Sequence, residues 1–257
     1  MKISFSKYEG TGNDFILLDA RTSTLTEPEL VIAKLCHRQW GIGADGLILI
    51  KEDAKYDFYM KYYNTDGKES SMCGNGGRCA VAFSKRLGII IDMVNFRAID
   101  GNHTALIKGD TVTLQMINVS TVKHHPTYVF LNTGSPHHVI FVPRVDEVDV
   151  YEEGKKIRFG KPYFEVGTNV NFVEVAVDAL KVRTYERGVE NETLSCGTGV
   201  VAAAIAAHHI GKISVSMIRV ETLGGILTVR FTKNAKVYET VWLEGPARFV
   251  FEGCIEI

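Results

Sequence analysis

The sequence predicts an α/β (α+β) protein built from two related halves. Three observations carry that reading. The octet starting at Cys73 reads Cys-Gly-Asn-Gly-Gly-Arg-Cys-Ala, and the octet starting at Cys196 reads Cys-Gly-Thr-Gly-Val-Val-Ala-Ala, so Cys-Gly-x-Gly-x-x-x-Ala occurs twice. Eight residues after the shared Ala stands a glycine in each copy, Gly88 and Gly211. Both copies sit in the same succession: a strand-like run, the Cys, a helical pattern, the glycine, and another strand-like run.

Taken in chain order, the first expected helix covers 27–38. Thr26 and Glu29 make a capping box there, and Pro28 suits the first turn. Residues 58–63 alternate and are aromatic-rich, which predicts a strand. After Cys73 a helix is expected, with Ala80, Phe83 and Leu87 on one face and Gly88 as a left-handed C-terminal cap. A strand over 89–96 follows. The second half repeats the order: a strand over 180–185, a helix after Cys196 with Val200, Ala203, Ala204 and Ala207 on one face, the cap Gly211, and a strand over 215–220. The remainder reads as strand and turn. Asn13 and Asn169 open the halves in similar local sequences, and Asn64 and Arg187 each precede their Cys by nine residues. The expected domains are 1–121 and 122–248, with 249–257 returning to the first as a strand.

Composition narrows the function. At 257 residues with 46% hydrophobic and 23% charged side chains, the chain has the make-up of a globular protein with a large core. A formal net charge of -1 provides no basic field for nucleic acid or a membrane surface. No apolar run reaches the length of a membrane span, and the N-terminus carries no signal-peptide pattern, so a cytoplasmic location is expected. Five widely spread cysteines (36, 73, 79, 196 and 254) argue against a disulfide framework. Their spacing relative to the histidines does not match a zinc site. The glycine-rich turns lack the lysine of a P-loop, and nothing singles out a Schiff-base lysine. No metal and no cofactor are expected.

The repeated cysteines are read as chemistry. Each lies at the start of a helix, where N–H groups lack intrahelical partners and the macrodipole is positive. A thiolate is favoured in that setting. Glycines at the first and third positions after the Cys cost about 1 kcal/mol each in a helix. A ligand approaching the backbone closely explains them. Two such helix starts facing one another would hold a small carboxylate, with a cysteine on either face of its α-carbon. One would remove a proton and the other return one. For Cys36, Cys79 and Cys254 the expected role is that of an inert core residue.

At these residues the sequence resembles the diaminopimelate epimerase family. The resemblance runs over nearly the whole chain: Gly10-Thr11-Gly12-Asn13-Asp14-Phe15, Gly41-Ile42-Gly43-Ala44-Asp45-Gly46, Tyr63-Asn64-Thr65-Asp66-Gly67, Met72-Cys73-Gly74-Asn75-Gly76-Gly77-Arg78, Gly134-Ser135-Pro136-His137, Thr168-Asn169-Val170-Asn171-Phe172, Tyr185-Glu186-Arg187-Gly188 and Ser195-Cys196-Gly197-Thr198-Gly199. It implies two pseudo-symmetric domains, each a curled, mostly antiparallel β-sheet around a central helix, with the active site in the cleft between them. It implies interconversion of LL- and meso-2,6-diaminopimelate, a dicarboxylic diamino acid, for lysine and cell-wall synthesis. Cys73 and Cys196 match the family's acid/base pair.

The implied substrate contacts also make chemical sense. Gly74, Asn75, Gly197 and Thr198 supply donors near the helix starts for the reacting carboxylate. Glu186 accepts from an ammonium or tunes the site. Arg187 suits bidentate binding of the distal carboxylate. Asn13, Asn64 and Asn169 offer neutral donors and acceptors. His137, at the family's Pro-His position, is assigned to orienting or tuning a cysteine. Ser135 and Gly46 stand where some family members carry Asn and Gln. Two alternatives stay open: a proline or hydroxyproline racemase on the same scaffold, which would leave Arg187 without a distal carboxylate, and a non-catalytic carboxylate-binding or thiol redox protein. Homodimerisation is also left open.

Overall fold

A computed structural model describes residues 2–21 and 28–256. The chain divides into two compact units, Met1–Leu114 with Gly245–Ile257, and Gln115–Glu244. Thr26, and with it the expected capping box, lies outside the described residues.

The first unit contains β1 (Lys2–Gly10), β2 (Asn13–Asp19), α1 (Glu29–Cys36), β3 (Gly46–Lys51), β4 (Phe58–Asn64), β5 (Glu69–Ser70), α2 (Gly74–Arg86), β6 (Met93–Ala98), β7 (Gly101–Lys108) and β8 (Thr111–Gln115). The second contains β9 (Val122–His124), β10 (Val129–Asn132), β11 (Pro136–Phe141), α3 (Val150–Phe159), β12 (Asn169–Val175), β13 (Leu180–Glu186), β14 (Asn191–Thr193), α4 (Gly197–His209), β15 (Met217–Thr222), β16 (Gly225–Asn234) and β17 (Val237–Pro246). The final strand, β18 (Arg248–Glu256), pairs antiparallel with β1, Lys2 opposite Glu256.

Strand order in the first unit is β18-β1-β2-β3-β4-β6-β7-β8, with β5 on β4. In the second it is β9-β10-β11-β12-β13-β15-β16-β17, with β14 on β13. The pairings that depart from antiparallel fall at matching places: β2 with β3 and β4 with β6, against β11 with β12 and β13 with β15. This shared departure establishes the pseudo-symmetry more firmly than the sequence repeat does. It also corrects one expected equivalence: Asn13 opens the second strand of its unit, whereas Asn169 opens the third strand of its own after β9 is set aside.

Each unit wraps its sheet around one helix. α4 packs against β10, β11, β12, β13, β15 and β16, and every residue from Gly199 to Ala207 is buried. The single apolar faces expected for the two post-cysteine helices are therefore replaced by burial all round, as befits a helix enclosed by a sheet. The Ala-rich run Ala202–Ala207, broken by Ile205, suits this place: alanine is the best helix former and is small enough for strands to approach closely. α2 is likewise buried from Gly74 to Val81, while Leu87 lies at its half-exposed end.

The other sheet face is covered by a second, outer helix. In the first unit Ile32, Leu35 and Cys36 of α1 join Ile16, Leu18, Leu47 and Leu49. In the second, Val150 and Ile157 of α3 join Val170, Phe172 and Tyr185. β2 and β3 are thus covered on both faces, which is why Phe15–Leu18 and Leu47–Ile50 are continuous apolar runs.

Boundaries shift in physical ways. α1 starts at Glu29 with Pro28 as its N-cap rather than within the first turn. α3, expected as strand or turn, forms because Asp149 accepts a bond from the Glu152 N–H at 3.1 Å. Its mid-helix Gly154 lets it lie on β13: a Cβ there would stand 2.4 Å from the Tyr185 side chain. β6 begins at Met93, not at 89, since Ile89 completes the cap of α2. Gly88 (φ +71°) and Gly211 (φ +75°) are left-handed, as expected. Both close Schellman caps: Ile89 N–H donates to Ser84 O and Lys212 N–H to Ala207 O.

Candidate active site

Each unit holds one repeated cysteine at the N-cap of its central helix, in extended backbone conformation. The Cys73 sulfur accepts a bond from the Gly76 N–H at 3.1 Å, so the thiol itself serves as the capping group of α2. Cys196 is 6% exposed and caps α4 without such a bond; its sulfur lies 3.6 Å from Thr198 Oγ1. The other two core cysteines are different. Burial pushes the Cys36 thiol up to about 12 and Cys79 higher still, so both stay protonated. Cys254, expected in the core, is instead exposed on the last strand beside Ser4.

Around Cys73 the structure gathers Asn75 and Asn13. Asn75 Nδ2 donates to Asn13 Oδ1, and Asn13 Nδ2 donates to Asp45 at 2.9 Å. Asp45 in turn meets Arg38 at 2.7 Å, and Arg38 holds Asp14 with both nitrogens. Burial alone would raise the Asp14 pKa, but bonds and charges from Arg38 and Lys7 bring it down to about 2. Below this lies Arg78, fully buried. It donates to Thr11 Oγ1 at 2.9 Å, Asn75 Oδ1 at 3.0 Å, and the Gly74 and Pro246 carbonyls at 3.3 Å. Arg78 therefore ties the first turn of α2 to the β1–β2 turn. Asn64 is exposed at the end of β4, its backbone closing the turn to Gly67 at 3.0 Å. Gly46 is closely packed: a Cβ there would lie 2.5 Å from the Tyr62 ring, so no larger side chain fits with Tyr62 in place.

Around Cys196 the structure gathers Thr198, His137, Asn169 and Arg187. His137 is fully buried on β11, its Nε2 2.9 Å from Thr198 Oγ1. Burial, then the Arg187 charge, pushes its pKa down to about 3, so the ring is neutral at pH 7. Asn169 Oδ1 accepts from the Arg187 backbone N–H at 2.8 Å, and Arg187 Nη1 donates to Val166 O at 3.0 Å. Glu186 accepts from Thr193 Oγ1 at 3.0 Å.

One residue unassigned by the sequence reading belongs here. Asn171, fully buried on β12, donates to His137 Nδ1 at 3.0 Å and to His138 O at 3.3 Å, and accepts from Thr184 Oγ1 at 3.0 Å. Its signal was its place two residues after Asn169, which puts both on one face of a strand. It also revises the reason for one glycine. A Cβ on Gly199 would come 2.4 Å from Asn171 Oδ1, so packing inside the unit requires glycine there whatever ligand approaches.

A protein of two sheet-wrapped helices, each with a cysteine as its N-cap residue, shares its fold with solved structures. The PhzF-family phenazine biosynthesis protein of Bacillus anthracis aligns at TM-score 0.78 with 16% identity, covering 100% of both chains. The hydroxyproline epimerase of Agrobacterium vitis aligns at TM-score 0.72 with 14% identity, covering 99% of this chain and 92% of that one. At those identities the likeness is one of fold.

The chain belongs to the diaminopimelate epimerase family, whose model matches residues 5–122 and 129–250. It is 51% identical to the diaminopimelate epimerase of Flavobacterium psychrophilum over 97% of this chain and 98% of that one. It is 43% identical to that of Chlorobaculum tepidum over 96% and 99%.

Proposed function

We propose that this chain interconverts LL- and meso-2,6-diaminopimelate without a cofactor, one of Cys73 and Cys196 removing the α-proton and the other delivering its own proton to the opposite face. The observation that supports this best is the matched placement of the two cysteines: each is the N-cap residue of the central helix of its own unit, in a chain that matches the family model over residues 5–122 and 129–250. One sulfur begins as thiolate and takes the α-proton. The other begins as thiol and protonates the opposite face of the carbanion, and the reverse reaction exchanges the roles. Charge passing onto the carboxylate meets the N–H groups of a helix start, supplied around Gly74, Asn75, Gly197 and Thr198. Glu186 receives an ammonium. Arg187 holds the distal carboxylate, with Asn13, Asn64 and Asn169 as neutral partners. The site thus requires the cysteines on opposite faces of one α-carbon. Reduced thiols suit the cytoplasm, and no helix among the described residues is long and apolar enough to cross a membrane.

The test is turnover by the purified protein of LL-diaminopimelate, L-proline and trans-4-hydroxy-L-proline in parallel. The expected result is epimerisation of the first alone, because the cyclic substrates offer Arg187 no second carboxylate. Turnover of a proline and not of diaminopimelate would overturn the reading.

A further inference from the structure

Resting on that two-cysteine reading, we propose that Asn171 is a positioning residue: it fixes the direction of a hydrogen-bond relay, Asn171 to His137 to Thr198, that ends on the Cys196 sulfur. The direction follows from obligate partners. The His138 carbonyl can only accept, so the amide nitrogen of Asn171 must face it, at 3.3 Å. The same nitrogen lies 3.0 Å from His137 Nδ1, which is therefore the accepting nitrogen of the ring. In a neutral imidazole the proton then sits on Nε2. Nε2 donates to Thr198 Oγ1 at 2.9 Å. With its oxygen accepting from the ring, Thr198 is left to turn its hydroxyl proton toward Cys196 Sγ at 3.6 Å, within reach of a large sulfur acceptor. A hydroxyl donor favours the thiolate.

The pseudo-symmetry supplies an independent observation. In the ladders joining second to third strands, Phe15 faces Gly46 and Leu17 faces Ile48, while His137 faces Asn169 and Val139 faces Asn171. Phe15 and Ile48 therefore occupy the positions of His137 and Asn171. The space above confirms it: a Cβ on Gly76 would touch Ile48 and Phe15 at 3.3 and 3.4 Å, and one on Gly199 would touch Asn171 and His137. One cysteine's helix start rests on an apolar floor and takes its sulfur bond from Gly76; the other rests on a polar relay. The two thiols of a nominally symmetric pair are thus tuned by different means.

The experiment is peptide-resolved alkylation by iodoacetamide across pH, without substrate, following Cys196 and Cys73 in the same sample. Asn171→Ile and His137→Phe install the residues that the first unit carries. Each is expected to raise the Cys196 midpoint by about one pH unit, roughly a tenfold lower thiolate fraction at fixed pH, and to leave the Cys73 midpoint in place. His137→Gln keeps an amide donor toward Thr198 and is expected to retain the wild-type Cys196 midpoint. Folded Asn171→Ile or His137→Phe protein with an unmoved Cys196 midpoint would overturn the relay, as would equal shifts at both cysteines. Should Asn171→Ile not fold, the Gln and Phe variants at 137 decide alone. Because no substrate is present, failure of the epimerase reading appears in turnover and not in these midpoints.

Discussion

Five cysteines share this chain, and environment separates them. Cys36 and Cys79 are sealed in apolar surroundings that hold them as thiols, whereas Cys73 and Cys196 cap helices. That division was legible in the sequence because flanking glycines and the repeat mark a helix start. Replacing Cys73 or Cys196 by Ala is expected to lower turnover by about 10³-fold, the scale of a lost acid/base group. Melting temperature should stay near wild type, and steady-state assays beside thermal scans check both. Arg78 lies within the first cysteine motif, but its role is not legible there, since a buried arginine cannot be told from a surface one without its acceptors. It bonds two carbonyls, Thr11 and Asn75. Arg78→Met leaves these buried acceptors unmet and should cost about 3 kcal/mol in urea unfolding.

The helices show how local rules succeed and fail. The caps at Gly88 and Gly211 were readable because the helical pattern stops where a left-handed residue must stand. A Cβ at either would meet nothing within 4 Å, so the penalty of an alanine there is conformational alone. Gly88→Ala and Gly211→Ala should each destabilise by about 1 kcal/mol, measured by chemical denaturation. α3 is not legible in the sequence, because Gly154 breaks its periodicity and only the Tyr185 contact explains that glycine. The Asp149–Glu152 capping pair was the available signal. Burial of α2 and α4 on all sides was equally hidden: periodicity reports one face, and enclosure is a property of the sheet.

Across the whole molecule, the repeat revealed that there are two units but not how their strands correspond. That required the ladders, which place Asn13 and Asn169 on non-equivalent strands and put His137 at the position equivalent to Phe15. Acid stability is expected to reflect the charged cluster beneath Asn13. Asp14 has its pKa lowered from 3.8 to about 2, so its contribution is complete above pH 4 and is lost as pH falls from about 4 toward 2. It amounts to about 2 kcal/mol, and Asp14→Asn should flatten unfolding free energy across that window.

Removal of the α-proton by one sulfur and its replacement from the other is tested most directly by epimerising LL-diaminopimelate in deuterated water and following both isomers by mass spectrometry and NMR. The thiol that protonates the carbanion carries solvent deuterium. Product from the first turnovers should therefore bear one α-deuterium, while recovered starting isomer stays unlabelled. Label entering the starting isomer as fast as the product, or product that keeps its original α-hydrogen, would contradict a donor and an acceptor on separate cysteines.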